Sequence, residues 1–448
     1  MIVTFILLSV FVSRAQESEN DTIKKVSIDS LKQMIDEHSM KFSGLDERLA
    51  TMDSDLGKLT KIKVSGYIQA QYDMYDTWTA SGVHGVGTPP VTNSFYLRRA
   101  RIKFAYEAAE GLKLVLQPDF AFDKVSLKDA YVVLNDRWTR TFSLFMGQFD
   151  RLNYELEYSS GAMETLERTR MASILYPGEK ELGAKIEANF DTTYNFPLKL
   201  EFAVLNGNFN LGSTANQIKD IDSNKDIMAR AVYSVKLPSK GLGIDFGAHG
   251  YFGSTKILNQ TSPGTVFSDV NNQSFTPSIG DALKKSWLGA EMQIYYDFLG
   301  GMAFKGEYIS GTISEVNSTF NPAQFNSAFN FNRVREFKGF YATLIKNVGI
   351  RNQIVFRYDV FDPNKKLGGN DINNAGDLKI STLSFSWQYY FDDNIKMVAG
   401  YALPTNEKST NAGVGADYLN RDKRDNTFTI RLQAWTLRGP RSADINLD

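Results

Sequence analysis

The sequence predicts an all-β fold: a 16-stranded antiparallel transmembrane β-barrel preceded by an N-terminal α-helical coiled coil. Three observations predict it. The stretch 93–106, NSFYLRRARIKFAY, splits with a period of two into two faces. Tyr96, Ala100, Ile102, Phe104 and Tyr106 fall on one, broken by Arg98, while Leu97, Arg99, Arg101 and Lys103 fall on the other. Successive strand side chains point to opposite faces, so the three cations form a column about 7 Å apart, which suits lipid on one side and a wet lumen on the other. From residue 61 onward, short alternating segments follow one another, separated by Gly, Asn, Asp and Pro. After the N-terminal region no uninterrupted apolar run of about 18 residues occurs, so a membrane protein of this type must cross with strands.

The chain has 448 residues, a formal net charge of −1, no cysteine, 34 Gly and 13% aromatic residues. Absence of cysteine excludes disulfide scaffolds, Cys-based metal sites and a lipid anchor on an N-terminal Cys. The near-neutral charge gives no whole-chain attraction for nucleic acid. Any charge logic must be local.

Residues 1–15 read as a secretory signal peptide: 2–12 form an apolar run, and Ser13 and Ala15 place small residues at the cleavage-site positions. Residues 16–60 read as a periplasmic coiled-coil segment. Ile28, Leu31, Ile35, His38, Phe42, Leu45, Leu49, Met52, Leu56 and Leu59 alternate steps of three and four, an a/d seam held longer than a lone surface helix needs. A helix over 28–59 is roughly 48 Å long. His38, the polar seam residue, sets register in an oligomer, and the seam by itself does not choose dimer or trimer.

The barrel is expected over 61–436, with strands at 62–73, 93–106, 112–121, 125–135, 142–149, 181–190, 198–206, 228–237, 244–252, 286–298, 302–310, 336–347, 351–360, 380–391, 395–403 and 426–436. Sixteen is an even number, as a closed antiparallel barrel with both ends on one side requires. Short links such as 108–111, 136–139 and 347–350 carry hairpin chemistry, while 74–92, 150–180, 207–227, 253–285, 311–335, 361–379 and 404–425 are long and rich in Asn, Ser, Gly and Asp. Short turns at one rim and long loops at the other are the outer-membrane arrangement, with the N-terminal segment on the short-turn, periplasmic side. Residues 437–448 form a C-terminal tail.

Four segments, KVSGYIQAQYD (63–73), FYLRRARIKF (95–104), MGQF (146–149) and KELGAKIE (180–187), resemble the phosphate-selective porin O/P family of bacterial outer-membrane porins, as found in Bacteroidetes. The resemblance covers essentially everything after residue 60, and LRRAR is its most specific part. It implies a 16-stranded homotrimeric porin, narrowed by a long loop folding inward, with lumen Arg and Lys drawing anions through. A helical prelude to the barrel also occurs in that family. Two features depart from the pattern. The chain runs past its last strand, with Trp435 as the closing aromatic, and the candidate constriction loop 150–180 mixes Glu155, Glu157, Glu164, Glu167 and Glu179 with Arg151, Arg168, Arg170 and Lys180.

The candidate anion-binding, pore-lining residues are Arg99, Arg101 and Lys103, with Lys113, Lys128 and Lys185 as neighbours. Arg suits oxyanions such as phosphate because its planar fork makes two hydrogen bonds to adjacent oxygens. The bland alternative is that these cations pair with lumen carboxylates such as Asp119 and Asp129 and brace the wall. Arg98, on the expected lipid face, belongs near an interface or a subunit contact. Arg151, Tyr154, Glu155, Glu157, Arg168 and Arg170 are the candidate constriction residues, Tyr154 and Tyr158 being aromatics that face the lumen there. Enzymatic chemistry lacks its parts: the three histidines (His38, His84, His249) adjoin no nucleophile motif, and no hydrolase, metalloprotease or nucleotide-binding signature occurs in context. The reading is a secreted outer-membrane porin that passively conducts small hydrophilic solutes, preferring anions such as phosphate. It needs no cofactor or metal; its partners are lipid, two further copies and an envelope component at the coiled coil. A general non-selective porin, or a structural barrel tethered by its coiled coil, is the alternative.

Overall fold

The structure is a computed structural model that describes residues 61–76, 92–121, 125–207, 220, 223–257, 266–320, 329–416, 418–423 and 425–436. The expected signal peptide, the coiled-coil segment with its seam, and the C-terminal tail lie outside the described residues.

Sixteen antiparallel strands form one closed barrel. They are β1 (Ile62–Tyr75), β2 (Asn93–Ala109), β3 (Leu112–Asp119), β4 (Ser126–Asn135), β5 (Phe142–Asp150), β6 (Lys180–Asn189), β7 (Leu198–Leu205) and β8 (Asp226–Leu237). The second half comprises β9 (Leu242–Lys256), β10 (Ala282–Tyr296), β11 (Met302–Phe320), β12 (Phe329–Val348), β13 (Asn352–Asp362), β14 (Ile380–Tyr390), β15 (Ile395–Asn406) and β16 (Thr427–Trp435). Each strand pairs with the next, and β1 pairs with both β2 and β16, from Tyr67 opposite Trp435 to Tyr75 opposite Thr427. Closure satisfies every edge, which is what lets a sheet stand in lipid. A two-residue ladder, Phe267–Ser268 with Ser274–Phe275, joins the sheet within the connection after β9.

Alternation decides which way each side chain leaves. On β13 Phe356 and Tyr358 are exposed while Gln353, Arg357 and Asp359 are buried; on β16 Ile430 and Leu432 are exposed while Thr429, Arg431 and Gln433 are buried. The same rule exposes Ile102, Phe104, Leu114, Leu116, Leu144, Met146, Phe202, Leu383 and Phe385 around the wall. An apolar belt of this extent suits lipid, not water. Among the described residues no helix is long and apolar enough to cross a membrane.

Two sequence expectations are corrected. Most of the long loop expected at 311–335 is strand, because β11 and β12 run on to Phe320 and back from Phe329. Segments such as SEVNSTF carry polar residues at successive positions, so no apolar face marks them as strand. The second correction is in β2. Gln69 faces Arg99, but its neighbour Ala70 faces Leu97, so Arg98 is the extra residue of a β-bulge. The bulge reverses parity beyond it. Phe95 and Leu97 point outward, whereas Tyr96, expected on the lipid face, donates a hydrogen bond inward to Asp73 at 2.5 Å. Arg98 turns inward too, away from any lipid interface.

Candidate functional site

The connection between β5 and β6, residues 151–179, folds into the lumen, and its own sequence explains how. Arg151 draws its ends together: Nε lies 3.2 Å from Glu181, and Nη2 donates to the Pro177 carbonyl at 2.5 Å. Two helical turns form between, α1 (Tyr154–Glu157), capped by Asn153, and α2 (Arg170–Leu175), capped by Thr169. The caps are linked, since Glu155 accepts from both the amide and the hydroxyl of Thr169.

One side of this loop is apolar. Leu152, Tyr154, Leu156, Met171, Leu175 and Tyr176 are fully buried against Leu205, Met228, Tyr251, Trp287, Ile309, Phe337, Tyr341 and Phe361 on the inner wall of β7–β13. Trp287 stacks on Tyr251 at 4.1 Å and donates to the Tyr176 hydroxyl at 3.0 Å. Gly339 makes the dent for α2, since a Cβ there would sit 2.8 Å from the Met171 sulfur. On this side the loop meets the wall through an apolar seam.

Opposite it, the stretch 160–167 is irregular, and wall side chains supply the donors its backbone carbonyls need. Gln433 donates to Gly161, Lys396 to Met163, Gln388 to Glu164, Arg431 to Leu166 and Arg357 to Glu167, at 2.5–3.1 Å. The Glu167 carboxylate is held by three guanidiniums: Arg98 through Nε and Nη2 at 2.8 Å, Arg431 at 2.8 Å and Arg99 at 3.2 Å. Burial pushes this carboxyl up, but Arg98, Arg99 and Arg431 outweigh it and hold it well below the usual carboxylate range.

Between the loop and β1–β6 with β16 remains a polar cavity of about 240 Å³. Its aromatic lining is Tyr67, Tyr158 and Trp435. Its cations are Arg101, Lys103, Arg168 and Lys180, its carboxylates Asp129, Asp150, Glu157 and Glu179. Four face four, so the lining carries no net formal charge.

The expected cation column therefore points inward but is paired throughout. Arg99 meets Glu167, Arg101 meets Asp119 at 2.8 Å, and Lys103 meets Asp129 at 3.1 Å. Lys185 sits 3.1 Å from Glu201 and over the Phe145 ring. Lys113 shares the inward face of Val115 and Gln117 but lies exposed near the short-turn end, roughly 13 Å along the strand from the cavity. Lys128 stands half-buried at a second bulge, where β4 slips against Pro118. Within the loop, Arg168 pairs with Glu179 at 2.7 Å, Glu157 with Lys199 and Arg230 at 2.8 and 2.9 Å, and Glu155 lies 3.9 Å from Arg357. Burial lowers the Arg170 guanidinium to about 10 despite Asp359 and Asp425 nearby. Tyr154 is corrected: it packs on the apolar side, with its ring edge-on to that of Tyr158 at 5.0 Å and the two hydroxyls 2.6 Å apart.

Sequence reasoning missed Arg431, the loop-holding role of Glu167, and Tyr67. It also passed over His249 on β9, whose Nδ1 lies 3.6 Å from Glu291 and Nε2 3.5 Å from Glu307. Among the described residues this trio brings possible metal-ligand atoms within 4.8 Å of one another. The two carboxylates lie against opposite nitrogens of one ring, an arrangement that bridges β10 and β11 through β9's imidazole better than it chelates.

No family model and no curated protein sequence matches this chain. Solved structures do. The anion-selective porin from Comamonas acidovorans aligns with a TM-score of 0.50 at 10% identity, over 84% of this chain and 97% of that one. OmpF of Salmonella typhi, in complex with daunomycin, gives 0.51 at 12% identity over 84% and 97%. OprB of Pseudomonas putida gives 0.50 at 10% identity over 86% and 96%. The likeness is one of fold, with outer-membrane porins at large and not with the phosphate-selective O/P family in particular.

Proposed function

We propose that this protein is an outer-membrane porin that passively conducts small hydrophilic solutes along one side of its lumen. The observation that carries the reading is a closed barrel, apolar outside, crossed by an inward loop that seals one half and leaves a polar, charged cavity in the other. The solved porins of the same fold support it. Anion preference rests on a narrower base than the column Arg99, Arg101 and Lys103 suggested, because each of those cations has a carboxylate partner. The surplus lies at Glu167, where three guanidiniums share one carboxylate. That supports a mild pull on anions and gives no oxyanion cage specific for phosphate. The balanced cavity lining is the observation that favours a general porin as the second reading. In the proposed assembly three copies associate, their N-terminal segments 16–60 coiled in the periplasm. The entry of β1 at the end carrying the short turns supports that side.

The test is the reversal potential of the purified protein in a planar bilayer under a KCl gradient. A potential modestly on the chloride side, unaffected by phosphate, is the expected result. Phosphate block at low concentration supports the oxyanion-specific family reading instead, and absence of conductance removes the porin.

A further inference from the structure

The charges around the cavity are not equivalent. Arg101 is neutralised by Asp119, Arg168 by Glu179, and Glu157 by Lys199 and Arg230. The remaining four form a single file. Lys103 reaches Asp129 at 3.1 Å, Asp129 reaches Lys180 at 2.7 Å, and Lys180 reaches Asp150 at 2.5 Å. The two inner members are buried, with side chains 3% and 8% exposed, whereas the ends face water, Lys103 at 36% and Asp150 at 37%. A file of alternating charge is neutral as a whole, yet the interior pair keeps its ends apart. One end presents an ammonium to the cavity and the other a carboxylate, each with only one of its sides satisfied.

A second observation points to a ligand in the same place. Tyr67 lines the cavity at 6% exposure, and its hydroxyl has no hydrogen-bond partner. A buried hydroxyl without a partner is costly, and water or a solute's polar group must satisfy it. Trp435 and Tyr158 supply flat apolar faces beside it. Gly161 lets the loop pass this close, since a Cβ there would stand 3.0 Å from the Tyr67 ring and 3.2 Å from the Trp435 indole nitrogen.

We propose that this cavity is a subsite for zwitterionic solutes, free amino acids or short peptides, whose ammonium meets Asp150 and whose carboxylate meets Lys103. The proposal rests on the porin reading and deepens it by naming a solute class. A solute of one sign gains at one pole and loses at the other. A neutral solute gains at neither. A zwitterion of matching sense gains at both, while the neutral lining imposes no net barrier.

The experiment is osmotic swelling of liposomes containing the full-length protein, comparing glycylglycine with N-acetylglycinamide, neutral and of nearly the same size. Glycylglycine should enter about threefold faster, the scale of exposed ion-pair contacts. In Lys103→Met and in Asp150→Asn the ratio should fall to about 1.7, one pole remaining, and in the double variant to about one, with the folded barrel verified by its heat-dependent gel mobility. Equal rates in the unaltered protein overturn the subsite while leaving the porin intact. A preference that survives the double substitution overturns the assignment to this file. Swelling with neither solute overturns the porin reading, and the subsite with it.

Discussion

At Glu167 three guanidiniums share one carboxylate, and the two from Arg99 and Arg431 are almost fully buried. Removing the carboxylate leaves those charges facing one another in a partly dry site. Breaking a fully buried pair costs several kcal/mol, and Glu167 itself is 28% exposed, so about 2 kcal/mol of loop anchoring is the reasonable scale for Glu167→Gln. The apolar side of the loop outweighs this, since each of Leu152, Leu156, Met171 and Leu175 is worth about 1.5–3 kcal/mol against exposure. Glu167→Gln should therefore free the stretch 160–167 without expelling the loop. Single-channel recordings at neutral pH should show larger, noisier conductance and a stronger chloride preference. In the unaltered protein the carboxyl is held below its unfolded value. Its contribution is thus present at neutral pH and lost only as pH falls through that depressed value. The variant's extra noise should be absent from the unaltered protein at every pH above the acid range.

The strands were legible because lipid on one side and water on the other write a period of two into the sequence, and all sixteen expected segments coincide with strands. What the pattern left out follows from the same physics. Where β11 and β12 lack an alternating apolar face, the period fails, so part of the hairpin read as loop. The bulge in β2 was invisible because its extra residue is another arginine, and RRAR obeys alternation from Ala100 onward in either register. The loop's path was half legible. Its charges were noted, but Leu152, Leu156, Met171, Leu175 and Tyr176, an apolar set too large for a wet constriction, were the stronger signal. The bulge gives a test at this scale. Deleting Arg98 restores regular alternation: Arg99 stays inward, Leu97 outward and Tyr96 on Asp73. That deletion should assemble a heat-modifiable barrel, whereas deleting Ala100 also removes the extra residue but moves Arg99 into its outward place against lipid, at a cost of about 2–4 kcal/mol, and should lower the yield of folded barrel. Equal yields of the two folded variants contradict the assigned register.

At the level of the whole molecule the lumen is divided. Leu205, Tyr251, Trp287 and Phe337 on one wall are sealed against the loop, while the wall from β16 through β6 borders the cavity. Porin interiors hold a water-filled channel; on the proposed function, the apolar packing places the path on the other side, where the charged file and Tyr67 stand. The sequence offers a clean way to see this, because it contains no cysteine. A thiol introduced at Ser159, an exposed loop residue lining the cavity, should react with a water-soluble, membrane-impermeant reagent, and current should fall as a bulky adduct fills the passage. A thiol at Ala203, 0% exposed on the inner face of β7 beneath the loop, should stay unmodified at neutral pH, where the loop is packed. Reaction at both positions with equal rates means that water moves through the apolar half as freely as through the polar one. The loop would then be a mobile gate and the side path would not exist. Protection at Ala203 that vanishes with Leu175→Asp, which puts a charge into the same packing, ties the apolar half to the loop that closes it.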